Sequence, residues 1–280
     1  MNINSAITNG SKILRNKFIH SYRLDSEILM AQTIKKDRNY ILLNSDNILN
    51  KNDLNYFFKL IEQRSLGSPV AYLTNKKFFW NSEFFVTKDT LIPRPDTELI
   101  VENALSLTKQ KKKFNILDIG VGSGCILLSI LKERKNFYGT GIDISKKCLK
   151  ISEINAVNLK VNSRLKLIKS DVDKFNLGKY DLIVSNPPYI KSYKFKYLER
   201  DVVEFEPRLA LNGGLDGLLE IRKVINKSSE LIKKNGKFIL EIGFDQKNKV
   251  INLLKRKGFY INSTQKDLAN NDRCIVSTKI

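Results

Sequence analysis

From residue 114 onward, short apolar segments alternate with helical stretches, and this alternation constrains the fold more than any other feature of the chain. Such an order predicts a parallel sheet with helices on both faces. The predicted strands are FNILDI (114–119), FYGTGIDI (137–144), RLKLIKS (164–170), YDLIVS (180–185) and KFILEIG (237–243). The tail segments FYINSTQKD and RCIVSTKI add two strands, expected to be antiparallel at one edge. The sequence therefore predicts an α/β fold with about seven strands.

Residues 1–75 instead carry apolar side chains at helical spacing. Helices are predicted over 24–34 and 52–64, and Asn52 or Asp53 is expected to cap the second one. The Gly67-Ser68-Pro69 sequence ends that helix. This part is therefore predicted to be a helical domain.

A short segment of different composition joins the two parts. KKFFWNSEFFVT (76–87) is rich in aromatic residues and predicts two strands about a polar turn at Asn81-Ser82. A new helix is expected near Asp96, after the rigid IPRP sequence. We therefore divide the chain into a helical domain (1–75), a β-hairpin linker (76–93) and a larger α/β domain (94–280).

Composition excludes several classes of site. His20 is the only histidine, so a His-based catalytic triad or a zinc site has almost nothing to be built from. Cys125, Cys148 and Cys274 are far apart and are predicted to be small buried hydrophobic residues. We expect no metal.

No apolar run approaches the roughly eighteen residues that span a bilayer. The start, MNINSAITNG, lacks a basic segment followed by an apolar one, so we expect a cytoplasmic protein. The net charge of +20 comes from lysines spread along the whole chain. KQKKK (109–113) is predicted to be a solvated linker, and a basic surface would help recruit an acidic or RNA-bound partner.

The sequence DIGVGSG (118–124) follows a predicted strand and opens a helix, so its glycines let the backbone approach a nucleotide-like ligand. The dinucleotide pattern requires a third glycine where Cys125 stands. With the preceding acid Asp118, the spacing resembles a methyltransferase loop, although an ordinary glycine-rich turn remains an alternative. The candidate ligand-binding residues are Gly120, Val121, Gly122, Ser123 and Gly124.

Two acidic positions follow the next strands. Asp143 is placed to accept hydrogen bonds from both hydroxyls of a ribose. The alternative is a helix N-cap, a role for which Ser145 competes. After the third strand, Asp171 can face the adenine amino group and Val172 can cover the adenine ring.

The sharpest motif is NPPY, Asn186-Pro187-Pro188-Tyr189, at the end of the fourth strand. Its prolines hold Asn186 out of a helix, and the Asn186 side-chain oxygen with the Pro187 carbonyl can accept both hydrogens of a planar NH₂ group. Tyr189 can cover the flat face of that group. These hydrogen bonds increase the electron density on a poorly nucleophilic nitrogen. Alignment of that nitrogen with a methyl donor supplies the remaining contribution to catalysis. A simple Pro-Pro turn is the alternative.

The candidate residues share one location. The glycine loop, Asp143, Asp171 and Asn186 all fall just past the carboxyl ends of successive predicted strands. That edge is where open α/β sheets bind ligands.

The chain resembles the protein-(glutamine-N5) methyltransferases of peptide chain release factors over nearly its whole length. The glycine loop, Asp143 and NPPY would fit any amino-methyltransferase. Other segments resemble this family in particular. These are LDSEILMAQTIKKDR (24–38), GSPVAYLTNKKFFW (67–80), LIPRPDTELIVE (91–102), VVEFEPRLALNGGLDGL (202–218), LEIGFDQ (240–246) and KDLANNDR (266–273).

The resemblance implies a seven-stranded Rossmann-like class I methyltransferase domain and a helical N-terminal domain that docks the protein substrate. It implies S-adenosylmethionine as cofactor, with S-adenosylhomocysteine as product. The substrate implied is the glutamine of the Gly-Gly-Gln motif, whose methylation supports translation termination; neither nucleic acid nor a membrane is required. The site residues implied are Gly120 to Gly124, Asp143, Asp171, Val172 and Asn186 for the cofactor, Asn186 to Tyr189 for the glutamine, and Asn186, Pro187 and Tyr189 for catalysis.

The sequence departs from the family at some turns and leaves two segments open. Asn75, Asn81 and Asn270 stand where the family often has glycine, and asparagine tolerates a positive φ. Val172 lacks the aromatic ring of some relatives. Arg94 to Glu98 either border the site or only start a helix, and Glu204 to Arg208 form either a lid or a structural turn.

Two rival functions follow from the same motifs. An enzyme that methylates adenine N6 of nucleic acid would also use NPPY, with a flipped base in the pocket. A non-catalytic cofactor-binding or ribosome-associated module would keep the fold without turnover. The absence of a dedicated target-recognition domain disfavours the first, and the intact motifs disfavour the second.

Overall fold

The computed structural model describes residues 1–108 and 113–280. Of the predicted linker KQKKK, residues 109–112 lie outside the described residues. The chain forms two compact units. We call them the helical unit (Met1–Lys76 with Glu199–Phe205) and the sheet unit (Lys77–Leu198 with Glu206–Ile280).

The helical unit contains six helices in the part of the chain that is described. These are α1 (Ile3–Asn16), α2 (Tyr22–Ile34), α3 (Arg38–Leu43), α4 (Lys51–Ser65), α5 (Val70–Thr74) and, from the later segment, α9 (Arg200–Phe205). Leu14, Leu29 and Phe57 are fully buried where α1, α2 and α4 pack together. Arg64 of α4 pairs with the buried Asp25 at 2.7 Å.

The segment with α9 was not indicated as part of this unit by the sequence pattern. It contacts the end of α4 and the following turn: an Arg64 guanidinium nitrogen lies 3.9 Å from Asp201. A Cβ built on Gly67 would lie 3.2 Å from the Phe205 ring. Gly67 has φ +104°, so this turn needs glycine both for its backbone and for the ring beside it.

The predicted cap of α4 was wrong. Asn50, with extended backbone, caps the helix, and its side-chain oxygen accepts a hydrogen bond from the Asp53 N–H at 2.8 Å. The Asn50 amide also donates to the Asp53 carboxylate at 2.8 Å. The Asp53 N–H would otherwise lack a partner, because it lies in the first turn of the helix. Since the cap is at Asn50, Asn52 and Asp53 are helical residues rather than caps.

The sheet unit is built on seven strands in the order β5-β4-β3-β6-β7-β9-β8, and the predicted α/β fold is confirmed. The strands are β3 (Phe114–Ile119), β4 (Phe137–Asp143), β5 (Leu165–Lys169), β6 (Tyr180–Ser185), β7 (Ile232–Glu241), β8 (Phe259–Lys266) and β9 (Asp272–Lys279). β7 begins at Ile232, earlier than predicted. The first five are parallel, and β9 runs antiparallel to both β7 and β8. Of the two tail strands, only β9 is therefore reversed relative to the others.

Helices cover both faces of this sheet. They are α6 (Glu98–Leu107), α7 (Cys125–Glu133), α8 (Lys146–Asn158), α10 (Leu219–Leu231) and α11 (Lys247–Arg256). Neighbouring residues of β3 alternate between two cores: Ile116 lies in the core with α6, α7 and α8, and Leu117 lies in the core with α10 and α11. Burial on both faces explains why the strands read as nearly continuous apolar runs. No described helix is long and apolar enough to cross a membrane.

The hairpin consists of β1 (Lys76–Phe79) and β2 (Ser82–Phe85), as predicted. Asn75 and Asn270 adopt the positive φ expected of them, +57° and +64°. The expectation for Asn81 was wrong, because Trp80 takes the positive φ of the hairpin turn, +52°. The Trp80 N–H donates to Glu98 at 2.7 Å, and its indole N–H donates to Glu133 at 3.2 Å, so both ends of the residue are held in place.

Candidate active site

The register of the sheet brings the ends of four strands to one edge. Ile119 of β3 pairs with Ile142 of β4 and with Ser185 of β6, and Ser185 pairs with Leu240 of β7. The Ser185 hydroxyl also donates to the Ile119 carbonyl at 2.7 Å. Because paired strands lie about 4.8 Å apart, the residues that follow these positions are close neighbours. They are Gly120, Asp143, Asn186 and Glu241.

The glycine loop forms an open cradle at this edge. Gly120, Gly122 and Gly124 have φ values of +79°, +56° and +83°. A Cβ built on Gly120 would meet no described atom within 4 Å, whereas one on Gly124 would lie 2.7 Å from Leu128. The first glycine therefore leaves space for a ligand, and the last one allows α7 to begin beside it.

Helix α8 holds the loop from behind. The Ser152 hydroxyl donates to the Gly122 carbonyl at 2.8 Å, and the Asn155 amide donates to the Ser123 carbonyl at 2.9 Å. Val121 and Ser123 are buried. Gly120 and Gly122 thus form the open part of a loop whose other residues are packed.

Asp143 contacts the loop directly. Its carboxylate accepts hydrogen bonds from the Gly122 N–H at 3.0 Å and from the Ser145 N–H at 2.8 Å. The N-cap of α8 is Ser145, whose hydroxyl accepts from the Cys148 N–H at 3.3 Å. Burial raises the pKa of Asp143. The structure thus assigns the capping role to Ser145 and places Asp143 beside the cradle.

Asp171 and Val172 follow β5, the next strand along this edge. Lys169 of β5 pairs with Asp143, and the Asp171 carboxylate accepts from the Asp173 N–H at 2.9 Å. Val172 packs against the core under α10 and α11. Both residues lie beyond the same sheet edge as the cradle.

Asp118 is a buried acid that the sequence analysis noted but did not assign to the site. Its exposure is 0%, and neither carboxylate oxygen has a hydrogen-bond partner among the residues described. Burial raises the pKa of Asp118 to about 8. The signal in the sequence was an acid at the end of an apolar strand, immediately before the glycine loop.

The NPPY segment is fixed at both ends. The Asn186 amide nitrogen donates to the Thr97 hydroxyl at 3.1 Å, which leaves Oδ1 as the acceptor on the other side of the amide. The Tyr189 hydroxyl donates to Glu241 at 3.1 Å, and the Tyr189 carbonyl accepts from the Gln246 amide at 3.0 Å. Burial raises the pKa of Tyr189, so the phenol keeps its proton.

Glu241 is a second acid that the sequence analysis missed as a site residue. It is 1% exposed, and burial raises its pKa to about 7, against the lowering effect of the charge on Arg273. One of its oxygens, Oε2, has no partner at regular hydrogen-bond geometry among the described residues. The only signal in the sequence was an acidic residue near the end of an apolar strand.

The structure gives contacts for the two segments whose roles the sequence did not decide, Arg94 to Glu98 and Glu204 to Arg208. Thr97, 2% exposed, contacts Asn186 and therefore borders the site. Glu206 accepts a hydrogen bond from the Ile92 N–H at 3.1 Å and pairs with Arg94. Its geometry favours a structural turn that holds the IPRP segment, rather than a mobile lid.

Two of the three cysteines are buried, as predicted. Cys148 and Cys274 are buried free thiols, whereas Cys125 is a free thiol that is only half-buried. Within the ranges that the structure describes, no group of three or more His, Cys, Asp or Glu side chains could hold a metal ion.

Comparison with known proteins identifies similar sequences over both parts of the chain. The family model "PrmC N-terminal domain" matches residues 5–74, and "Methyltransferase small domain" matches residues 96–215. The release factor glutamine methyltransferase of Clostridium acetobutylicum is 35% identical over 282 residues, which is 100% of this chain and 99% of that protein. That of Caulobacter vibrioides is 35% identical, covering 95% of this chain and 92% of that protein. A bifunctional methyltransferase of Rickettsia bellii is 32% identical over 98% of this chain, which spans only 54% of that longer protein.

Solved structures share the fold at low sequence identity. A methyltransferase from Pyrococcus furiosus matches with a TM-score of 0.52 and 17% identity, over 70% of this chain and 88% of that one. The ribosomal protein L11 methylase of Lactobacillus delbrueckii subsp. bulgaricus matches with a TM-score of 0.50 and 18% identity, over 67% and 81%. These matches confirm the predicted methyltransferase fold.

Proposed function

Because this chain belongs to the release factor glutamine methyltransferase family, we propose that it methylates the side-chain amide nitrogen of the glutamine in the Gly-Gly-Gln motif of peptide chain release factors. S-adenosylmethionine is the methyl donor and S-adenosylhomocysteine the product. The observation that carries the proposal is the Asn186 carboxamide, oriented by Thr97, on the strand end next to the open glycine loop. Methylation at this site supports translation termination.

The residues at the sheet edge fit the cofactor. The space in front of Gly120 admits a ligand that approaches the backbone, and Asp118 offers an unpaired carboxyl beside it. When bound, S-adenosylmethionine supplies an electrophilic methyl group on a positively charged sulfonium. We assign Gly120 to Gly124, Asp143, Asp171 and Val172 to its binding, with Asn186 at the reacting end.

The acceptor amide is held by oxygen atoms that cannot donate. Asn186 Oδ1 and the Pro187 carbonyl accept the two N–H groups of the glutamine, while Pro188 and Tyr189 shape the pocket. Accepting both hydrogens raises electron density on the amide nitrogen and fixes its direction, so no general base is needed before transfer. The methyl group passes from sulfur to nitrogen, so the S–CH₃ bond breaks as the N–CH₃ bond forms, and the nitrogen then loses one proton to water.

The helical unit is proposed to dock the release factor, because it contains the segment that matches the PrmC N-terminal domain. Recognition of a protein substrate requires neither nucleic acid nor a membrane. We infer a cytoplasmic location, since release factors act at the ribosome. Methylation of adenine would use the same pair of acceptors, and the full-length relatives favour glutamine over it.

The decisive experiment offers both acceptors to the purified protein. It is incubated with methyl-labelled S-adenosylmethionine and either a release factor or adenine-containing DNA, and the label is mapped by mass spectrometry. We expect label on the glutamine of Gly-Gly-Gln, and none when that glutamine is replaced by alanine. Label on DNA alone would overturn the proposal.

Asn186→Ala tests the role of the carboxamide. The variant should lower kcat by about 10²- to 10³-fold, because one preorganised polar contact to the reacting group is lost. The Kd for S-adenosylhomocysteine, measured by calorimetry, should change little. The exposed Asn158→Ala at the end of α8 is the matched control. Equal losses of binding and turnover would mean that Asn186 holds the cofactor instead.

A further inference from the structure

The turn between β8 and β9 carries an ion pair that is almost fully buried. Asp267 lies in this turn and Arg273 lies in β9. Their side chains are only 2% and 12% exposed. Arg273 Nη2 and Nε both donate to Asp267 Oδ2, at 2.8 and 3.1 Å. The segment that contains the pair, KDLANNDR (266–273), resembles the family, and no role in binding the cofactor or the glutamine is assigned to it above.

The backbone of the turn holds the other carboxylate oxygen of Asp267. Oδ1 accepts hydrogen bonds from the Ala269 and Asn271 N–H groups, each at 2.9 Å. The Asp267 carbonyl accepts from the Asn270 N–H, also at 2.9 Å. With backbone donors on one oxygen and a guanidinium on the other, the carboxylate is fixed in orientation. Asp267 therefore anchors Arg273.

Arg273 directs its third nitrogen towards NPPY. Nη1 donates to the Tyr189 hydroxyl at 3.4 Å and to the Ile242 carbonyl at 3.2 Å. The guanidinium carbon also lies 6.0 Å from the centre of the Tyr189 ring. Because a guanidinium has only donors, the phenol oxygen accepts from it, and the phenol proton goes to Glu241 at 3.1 Å. The Tyr189 hydroxyl is thus held between a buried donor and a buried acceptor.

The same guanidinium also reaches the segment that orients the carboxamide of NPPY. Arg273 Nε lies 3.4 Å from the Asp96 carboxylate. The next residue, Thr97, accepts a hydrogen bond from Asn186. Asn186 therefore contacts this short segment directly, and Tyr189 is connected to it through Arg273.

We propose that Arg273, anchored by Asp267, is a positioning residue that holds the Tyr189 ring over the flat face of the acceptor amide. A tyrosine ring can turn about its side-chain torsions. A hydroxyl held between Glu241 and Arg273 removes that freedom before the substrate arrives. The inference rests on the proposed function and assigns a task to two residues outside NPPY. Arg273 acts through Tyr189 and not on the reacting atoms.

The geometry requires arginine rather than lysine at this position. Nε and Nη2 face Asp267 while Nη1 faces Tyr189, so the planar fork spans both partners at once. Lysine has a single nitrogen on a flexible stem and would keep the charge without the fork. Arg273→Lys therefore separates the effect of geometry from that of charge.

Arg273→Lys should lower kcat for the release factor roughly 10-fold, the loss expected when one hydrogen bond to a charged group is removed. KM and the Kd for S-adenosylhomocysteine, measured by calorimetry, should change little, because the Asn186 carboxamide and the glycine loop keep their contacts. Asp267→Asn should lower kcat similarly, since a neutral amide fixes the guanidinium less firmly. The exposed Arg256→Lys at the end of α11 is the matched control and should keep the wild-type kcat.

Tyr189→Phe separates positioning from general stabilisation. It keeps the ring and removes the hydroxyl that Arg273 holds, so kcat should again fall roughly 10-fold. The double variant Arg273→Lys/Tyr189→Phe should be no slower than the slower single variant, because both changes act through one hydroxyl. If Arg273 only stabilised the fold, its effect would instead multiply that of Tyr189→Phe.

Folded Arg273→Lys and Asp267→Asn proteins with the wild-type kcat would overturn the inference, as would losses that multiply in the double variant. Those results leave the proposed function intact if the wild-type protein methylates the release factor and Asn186→Ala does so far more slowly. Absence of release factor methylation by the wild-type protein would instead refute the proposed function. The two failures are therefore distinguishable, and circular dichroism of each variant confirms that it is folded.

Discussion

Asp118 is a carboxyl group at a position where ionisation is unfavourable. It is fully buried at the end of β3, and its pKa is raised to about 8 by burial. In the unfolded chain the same group titrates near 3.8. Between these values the folded protein binds a proton that the unfolded chain does not bind.

This difference gives the ligand-free protein a predictable pH dependence. The free energy of unfolding should fall as the pH rises from about 4 to about 8, because folding takes up a proton in this window. Asp118→Asn cannot ionise and should show a smaller decline. Thermal unfolding of both proteins across this range measures the effect. Parallel curves would mean that Asp118 is ionised in the folded protein.

At the scale of elements, the contact between β4 and the glycine loop determines the shape of the cradle. Gly141 of β4 lies directly under Val121, so that a Cβ there would be 2.9 Å from the valine side chain. A Cβ on Gly120 would instead point into open space. One glycine thus supports the loop, and the other leaves room for the ligand.

The two glycines should therefore respond differently to alanine. Gly141→Ala should destabilise the protein by about 1–3 kcal/mol through overpacking. Gly120→Ala should cost roughly 1 kcal/mol for its positive φ and weaken binding of S-adenosylhomocysteine by more than Gly141→Ala does. Denaturant unfolding and calorimetry measure the two effects. Equal affinities in both variants would place the cofactor elsewhere.

The strands and most helices could be predicted because each is encoded locally by apolar periodicity. The order β5-β4-β3-β6-β7-β9-β8 could not, since periodicity contains no information about which strands pair. The site was predicted where a motif marks it, as at Asn186. Thr97 was anticipated only as one residue of Arg94 to Glu98, and Glu241 was missed because a strand pattern does not show which acid is buried.

At the scale of the whole molecule, the net charge of +20 creates a general affinity for polyanions. Contacts with phosphates release counterions, so such binding weakens steeply with salt. If the substrate is a protein, this affinity is incidental to turnover.

We therefore expect RNA retention by the protein, measured by filter binding, to fall about 10³-fold or more between roughly 50 and 200 mM salt. Methylation of the release factor at saturating substrate should decline far less over the same range. A parallel loss of both would indicate that nucleic acid takes part in the reaction.

The helical unit is not one continuous stretch of chain. It is completed by Glu199–Phe205, which lies after NPPY in the sequence and contacts Arg64 and Gly67. A chimera joined at residue 76 alone would thus combine one parent's α9 with the other parent's α4. If the helical unit docks the substrate, as proposed, exchange of substrate preference between relatives requires the two segments to be transplanted together, and recombination at a single crossover point is then a poor route to new specificity.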